Sequence, residues 1–213
     1  MRIAVIGANG QLGSDVLRAF ADNGDEVCPM THSEIEIADI DSVSRALRES
    51  KPDIVVNTAA MHHVEKCEQE AERAFAINAL GPRNLALVAR DLDSMLIHIS
   101  SDYVFDGHKR SPYEECDIPQ PLSIYGNSKL AGEYFVRCVT ERHFVLRTSA
   151  LYGTTGCRAK AGLNFIQLML KLDPAQPNGV WLWAAADNLR ISALTAVDCA
   201  ESMTTTRPTG KIQ

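Results

Sequence analysis

Gly7-Ala8-Asn9-Gly10-Gln11-Leu12-Gly13 follows an apolar stretch, Ile3 to Ile6, and opens into a run with helical spacing. Glycines at i, i+3 and i+6 permit a tight turn, a close approach of backbone to a phosphate, and a helix packed hard on its strand. The first turn of such a helix presents unpaired N–H groups and a partial positive charge, which suit a pyrophosphate lying over Gly10, Gln11 and Leu12. Glycine turns also occur after strands with no ligand, so the meaning of this one depends on the rest of the chain. Further on stands Tyr125-Gly126-Asn127-Ser128-Lys129, with Ser101 upstream of it at the end of another apolar stretch. Together these turn a nucleotide site into an oxidoreductase hypothesis.

The first 150 residues alternate strand-like and helix-like segments. Strands are expected at Arg2–Ile6, Glu26–Met30, Asp53–Thr58, Met95–Ser100 and Phe144–Thr148. Several are short, continuous apolar runs, as in parallel strands buried on both faces. Helices are expected at Gln11–Asp22, at Asp41–Glu49 with Asp41 as N-cap, across Val64–Arg90 with an interruption or restart at Gly81-Pro82, and at Ser128–Val139. This pattern predicts an α/β fold, a Rossmann-like doubly wound parallel sheet with ligands at the C-terminal strand ends. Past Leu172 a turn-rich break, Asp173 to Gly179, precedes a short candidate strand at Val180–Ala184 and a polar end. The expected division is therefore a dinucleotide-binding domain over residues 1–150, then a partial lobe and tail over 151–213.

The 213 residues are 46% hydrophobic and 23% charged with a net charge of −6, a globular composition that excludes nucleic acid held by a general basic surface. The six cysteines form no C-x-x-C pair, which reads as reduced thiols in a cytoplasmic protein. No apolar run reaches membrane-spanning length, so no membrane partner is expected.

Tyr125 and Lys129 stand at i and i+4, on one face if the helix has begun by that point. A phenol titrates near pH 10, too high for efficient proton exchange at neutrality. A neighbouring ammonium is expected to lower it, and a shift of ~3 units corresponds to roughly 4 kcal/mol. Ser101 is placed to hydrogen-bond a reacting carbonyl. After the second strand, Met30-Thr31-His32-Ser33 holds none of the acid that usually engages the adenine ribose, so Thr31, His32 and Ser33 either accommodate a 2′-phosphate or are simply solvated loop residues. His62-His63 suggests metal binding, but consecutive helical residues diverge by about 100° and no third ligand is spaced nearby; no metal is expected. Trp181 and Trp183 alternate like one face of a strand and are read as packing residues.

With these residues in place, the chain resembles the extended short-chain dehydrogenase/reductases, and among them the dTDP-4-dehydrorhamnose reductase family. The segments that carry the likeness are Gly7–Gly13, Asn57–Glu68, Ile99–Gly107, Tyr125–Gly132 and Arg147–Gly153. The resemblance runs to about Leu172. It implies NADPH, with NADH also accepted, as cofactor, and reduction of a nucleotide-linked 4-keto-6-deoxysugar, dTDP-4-dehydro-L-rhamnose, to dTDP-L-rhamnose. By the same resemblance Ser101 stands where threonine is usual, Tyr125 is the proton donor, and Lys129 grips the nicotinamide ribose and lowers the tyrosine pKa. Gly7, Gly10, Gln11, Leu12, Gly13, Thr31, His32, Ala59 and Ala60 would hold the cofactor, with Asp39 and Ile40 flanking the adenine. His62, Val64, Tyr103 and Arg190 would face the sugar nucleotide.

Ala150, where a tryptophan is frequent, and His62, where a threonine is, depart from the pattern. The segment Asp187 to Ala200 looks like the entry to a C-terminal substrate lobe whose remainder is absent. Weak sugar-nucleotide binding and homodimer formation through residues after about Phe165 are the expectations drawn from this. Two other functions stay open. An epimerase would keep Tyr125 and Lys129, but typically has an aromatic-isoleucine pair where this chain has Gln11-Leu12. A non-catalytic dinucleotide-binding regulatory subunit would have no need of Ser101, Tyr125 and Lys129 together. A dehydratase lacks its second carboxylate, because Asp102 is followed by Tyr103.

Overall fold

The computed structural model describes residues 1–149 and Leu151. The partial lobe expected over 151–213, its strand at Val180–Ala184, the tryptophans, Ala150 and Arg190 all lie outside the described residues beyond Leu151 itself.

Five strands, β1 (Arg2–Ile6), β2 (Glu26–Met30), β3 (Ile54–Asn57), β4 (Met95–Ser101) and β5 (His143–Thr148), form one parallel sheet in the order β2-β1-β3-β4-β5. Val5 pairs with Val56, Val56 with Ile97 and Ile97 with Phe144, which carries one apolar row across the sheet. Neighbouring residues along a strand feed opposite cores, as the period of two requires. Ile3 and Val5 pack under helix α1 (Gln11–Asp22) with Leu12, Val16 and Phe20. Ala4 and Ile6 face the other side, among Val43 and Leu47 of α2 (Ile40–Ser50), Leu85 and Ala89 of α5 (Gly81–Asp91) and Val136 of α6 (Ile124–Val139). Burial on both faces explains why β3 and β4 read as unbroken apolar runs.

Strand β2 bounds one side of the described sheet, and Pro29 stands within it, in register with Val5. Met30 O accepts from Gly7 N, and Glu26 N donates to Met1 O, so the even-numbered residues of β2 bond to β1. Val27 and Pro29 therefore turn their backbone groups away from it.

Three helical expectations need correction. The N-cap of α2 is Asp39, not Asp41: the Asp39 carboxylate accepts from Asp41 N at 3.0 Å, while Asp41 places its charge in the first turn. The Val64–Arg90 region does restart at Gly81-Pro82, as expected, but that is not its first break. It divides earlier, into α3 (Val64–Gln69), α4 (Ala71–Phe75) and a π-turn (Ala76–Leu80), and α5 then begins at Gly81. Pro82 falls in the first turn of α5, where its missing N–H costs little. Helix α6 starts one turn earlier than expected because Ser123 caps it, its hydroxyl accepting from Gly126 N at 3.0 Å. Among the described residues no helix is long and apolar enough to cross a membrane.

Candidate active site

A cavity of about 880 Å³ opens at the C-terminal ends of β1, β3 and β4. The Gly7–Gly13 turn forms its floor. Gly7 has φ +79°, and a Cβ on Gly13 would stand 2.2 Å from Gly7 O, so α1 meets the turn at a distance only glycine allows. No side chain caps the start of α1 and its first turn holds no acid, which leaves its leading amides to the cavity. Gly10, Gln11, Leu12 and Gly13 line that end together with Gly7. Ala59 and Ala60 line the wall beyond β3, where Thr58 Oγ1 donates to Ile6 O at 2.7 Å and joins the two strand ends.

Ser101 ends β4 and is buried. Its hydroxyl donates to Asp102 Oδ1 at 3.1 Å and accepts from Tyr103 N at 3.2 Å, shaping the 3-10 turn Asp102–Val104. The first turn of α6 rests on that turn. A Cβ on Gly126 would lie 2.2 Å from Tyr103 O, so the absent side chain lets Tyr125 approach Ser101. The Tyr103 and Tyr125 rings meet edge to face, with centroids 5.4 Å apart. Lys129, one turn along α6, is 2% exposed, and its Nζ donates to Ile99 O at 2.6 Å. Ser101, Tyr103, Tyr125 and Lys129 all line the cavity, as do His62 and Val64 at the start of α3.

The electrostatics differ from the expected arrangement. Burial pushes the Tyr125 phenol above its ordinary value, with the neighbouring Ser101 side chain opposing it. Lys129 does not lower it here. Its own ammonium is destabilised by burial to about 8, with Glu133 working the other way, and it is committed to the Ile99 carbonyl. His98, behind it on β4, is held neutral by burial and by the Lys129 charge, and Asn57 Nδ2 lies 3.1 Å from its Nδ1.

Two placements also depart from expectation at the adenine end. Thr31 and His32 line the cavity at the end of β2, but Asp39 and Ile40 do not. Asp39 is occupied in capping α2 and Ile40 is 41% exposed; Ile35 and Ile37, both buried, supply the apolar wall instead. His62 and His63 precede α3 in a loop, so the argument from helical divergence does not apply to them. Among the described residues no group of three or more His, Cys, Asp or Glu is placed to hold a metal ion.

Three features went unread in the sequence. Glu133 is wholly buried beneath the site, where Ser100 Oγ donates to its Oε1 at 2.6 Å and Arg147 donates through Nε and Nη2 at 2.9 and 2.7 Å. Its signal was the i, i+4 spacing from Lys129. Asn78, in the π-turn, accepts from Met61 N and donates to Met61 O and Ser128 Oγ, tying the loop before α3 to α6. Glu34, one residue past the segment read for cofactor choice, folds its carboxylate back onto Thr31 and Ser33.

A doubly wound parallel sheet with a glycine turn at the end of its first strand defines a nucleotide-binding α/β protein. More narrowly, the chain belongs to the RmlD substrate binding domain family, whose model matches residues 1–183. It is 40% identical to the spore coat polysaccharide biosynthesis protein SpsK of Bacillus subtilis, over 80% of this chain and 58% of that protein. It is 37% identical to the dTDP-4-dehydrorhamnose reductase of Aggregatibacter actinomycetemcomitans, over 80% of this chain and 56% of the relative. A dTDP-4-dehydrorhamnose reductase from Bacillus anthracis, solved in complex with NADP, superposes with a TM-score of 0.75 at 36% identity, covering 82% of this chain and 60% of that one. The match thus spans less than three fifths of the curated relatives' length.

Proposed function

We propose that the chain carries the NADPH-binding and catalytic part of a reductase that converts dTDP-4-dehydro-L-rhamnose to dTDP-L-rhamnose, with NADH also accepted. The observation that carries this reading is the convergence of Ser101, Tyr125 and Lys129 on one cavity whose floor is the Gly7–Gly13 turn. A dinucleotide fits that floor: the uncapped amides of α1 suit its pyrophosphate, and Gly13 lets α1 pack close on the turn that presents them. In this reading residues 1–150 hold the dinucleotide, and 151–213, Arg190 among them, contribute to the sugar side. The scattered free thiols, Cys28, Cys67, Cys116 and Cys138 among the described residues, accord with action in the cytoplasm.

NADPH, when bound, supplies a hydride to the ketone carbon. Tyr125 delivers the proton to the carbonyl oxygen, and its raised pKa keeps the phenol protonated at neutral pH, the form a general acid needs. Ser101 turns its hydroxyl from Asp102 toward the same oxygen and orients it. Lys129 has donor capacity beyond Ile99 O for a ribose hydroxyl. Tyr103, His62 and Val64, all on the cavity wall, face the sugar nucleotide.

The test is to mix the protein with NADPH and dTDP-4-dehydro-L-rhamnose and follow the loss of reduced-nicotinamide absorbance. Stoichiometric oxidation with appearance of dTDP-L-rhamnose is the expected result. NADPH binding with no turnover would overturn the reductase reading in favour of a non-catalytic dinucleotide-binding subunit.

A further inference from the structure

At the end of β2 the chain turns through Thr31-His32-Ser33, and Thr31 and His32 line the cavity. In doubly wound sheets this is where the ribose of the adenosine half of a dinucleotide comes to rest. The segment is fastened to the glycine turn, since Gly7 N and Ala8 N both donate to Met30 O, at 2.9 and 3.2 Å. Its hydroxyls read as a cradle for a 2′-phosphate. In the folded protein that cradle already holds an anion. Glu34 Oε2 accepts from Thr31 N at 2.7 Å and from Thr31 Oγ1 at 2.6 Å, and Glu34 Oε1 accepts from Ser33 Oγ at 2.7 Å.

We propose that Glu34 sets the preference between NADPH and NADH, because its carboxylate occupies the Thr31 and Ser33 donors that a 2′-phosphate would use. The inference rests on the dinucleotide reading above. A 2′-phosphate is largely dianionic at neutral pH and meets like charge. It must displace Glu34 from all three donors before it can use them. Hydrogen bonds from Thr31 and Ser33 hold the carboxyl down to about 2, so the competitor is ionised throughout the working range. NADPH is thereby accepted at a penalty that NADH does not incur.

The experiment titrates the parent protein, Glu34→Gln and Glu34→Ala with NADPH and with NADH, reading nicotinamide fluorescence, and with 2′,5′-ADP against 5′-AMP by calorimetry. Glu34→Ala is expected to improve the Kd for NADPH relative to NADH by about tenfold, as removal of one like charge at contact distance in screened water allows. 2′,5′-ADP should gain on 5′-AMP in parallel. Glu34→Gln, which keeps the shape and loses the charge, should move the same way and guards against a folding defect in the alanine variant. An unchanged ratio while both nucleotides bind would overturn the role of Glu34 and leave the dinucleotide reading standing. Binding of neither nucleotide by the parent would overturn both.

Discussion

Lys129 Nζ donates to the carbonyl of Ile99 at 2.6 Å from a side chain only 2% exposed. The contact fixes α6 to the end of β4, so the helix bearing Tyr125 and the strand bearing Ser101 share one anchor. It also leaves an ammonium in a place that disfavours charge, and burial pulls it down to about 8.

That lowered value has a consequence for stability. Between about 8 and the unfolded value near 10.4 the unfolded chain binds more protons than the folded one, so this group makes stability rise with pH through that window. Below 8 the full cost of the buried charge is present. Urea unfolding at pH 8 and pH 10 should show a rise that is smaller in Lys129→Met by about 1–3 kcal/mol. An identical rise in both proteins would mean that the ammonium is not destabilised by burial.

Tyr125→Phe removes the proposed proton donor without touching the glycine turn. Turnover with the keto-sugar nucleotide should fall by about 10²-fold or more, with the Kd for NADPH changed by less than about threefold. Turnover near that of the parent would remove Tyr125 from the mechanism.

Gly13→Ala tests the floor of the cavity. Its methyl would be forced to within 2.2 Å of Gly7 O, a backbone atom that has no rotamer to escape by. The substitution should cost about 1–3 kcal/mol in chemical unfolding and weaken NADPH binding more than tenfold. Calorimetry alongside urea titration separates the two effects.

Glu133→Gln should destabilise the fold by about 2 kcal/mol or more, because Arg147 and Ser100 lose a buried anionic partner. Arg147 keeps some access to solvent, which softens the loss. Pairing it with Arg147→Met in a double-mutant cycle should recover part of the loss.

The sheet was legible because its inner strands β1, β3 and β4 are buried on both faces and read as apolar runs; each of the five strands lies within a residue or two of its expected place. The start of α6 was not, because Ser123, its cap, stands in a stretch whose prolines and serine read as loop. Ser101, Tyr125 and Lys129 were found as a motif, and their meeting at one cavity depends on Gly126, whose packing on Tyr103 O no spacing reveals. The tyrosine pKa was misjudged for a related reason: the i, i+4 spacing brings Lys129 close in projection, whereas the fold sends its ammonium to the Ile99 carbonyl. Asp39 was assigned to the adenine, yet its carboxylate does local work at a helix end.

Pro29 carries a last consequence. The backbone groups of Val27 and Pro29 face away from β1, and proline has no N–H to offer on that side. A second chain approaching this margin of the sheet finds a ladder with a missing rung, beside the exposed, charged Glu26. The margin is thereby a poor template for strand addition, which protects against aggregation while the parallel sheet, slow to assemble from distant segments, is still forming.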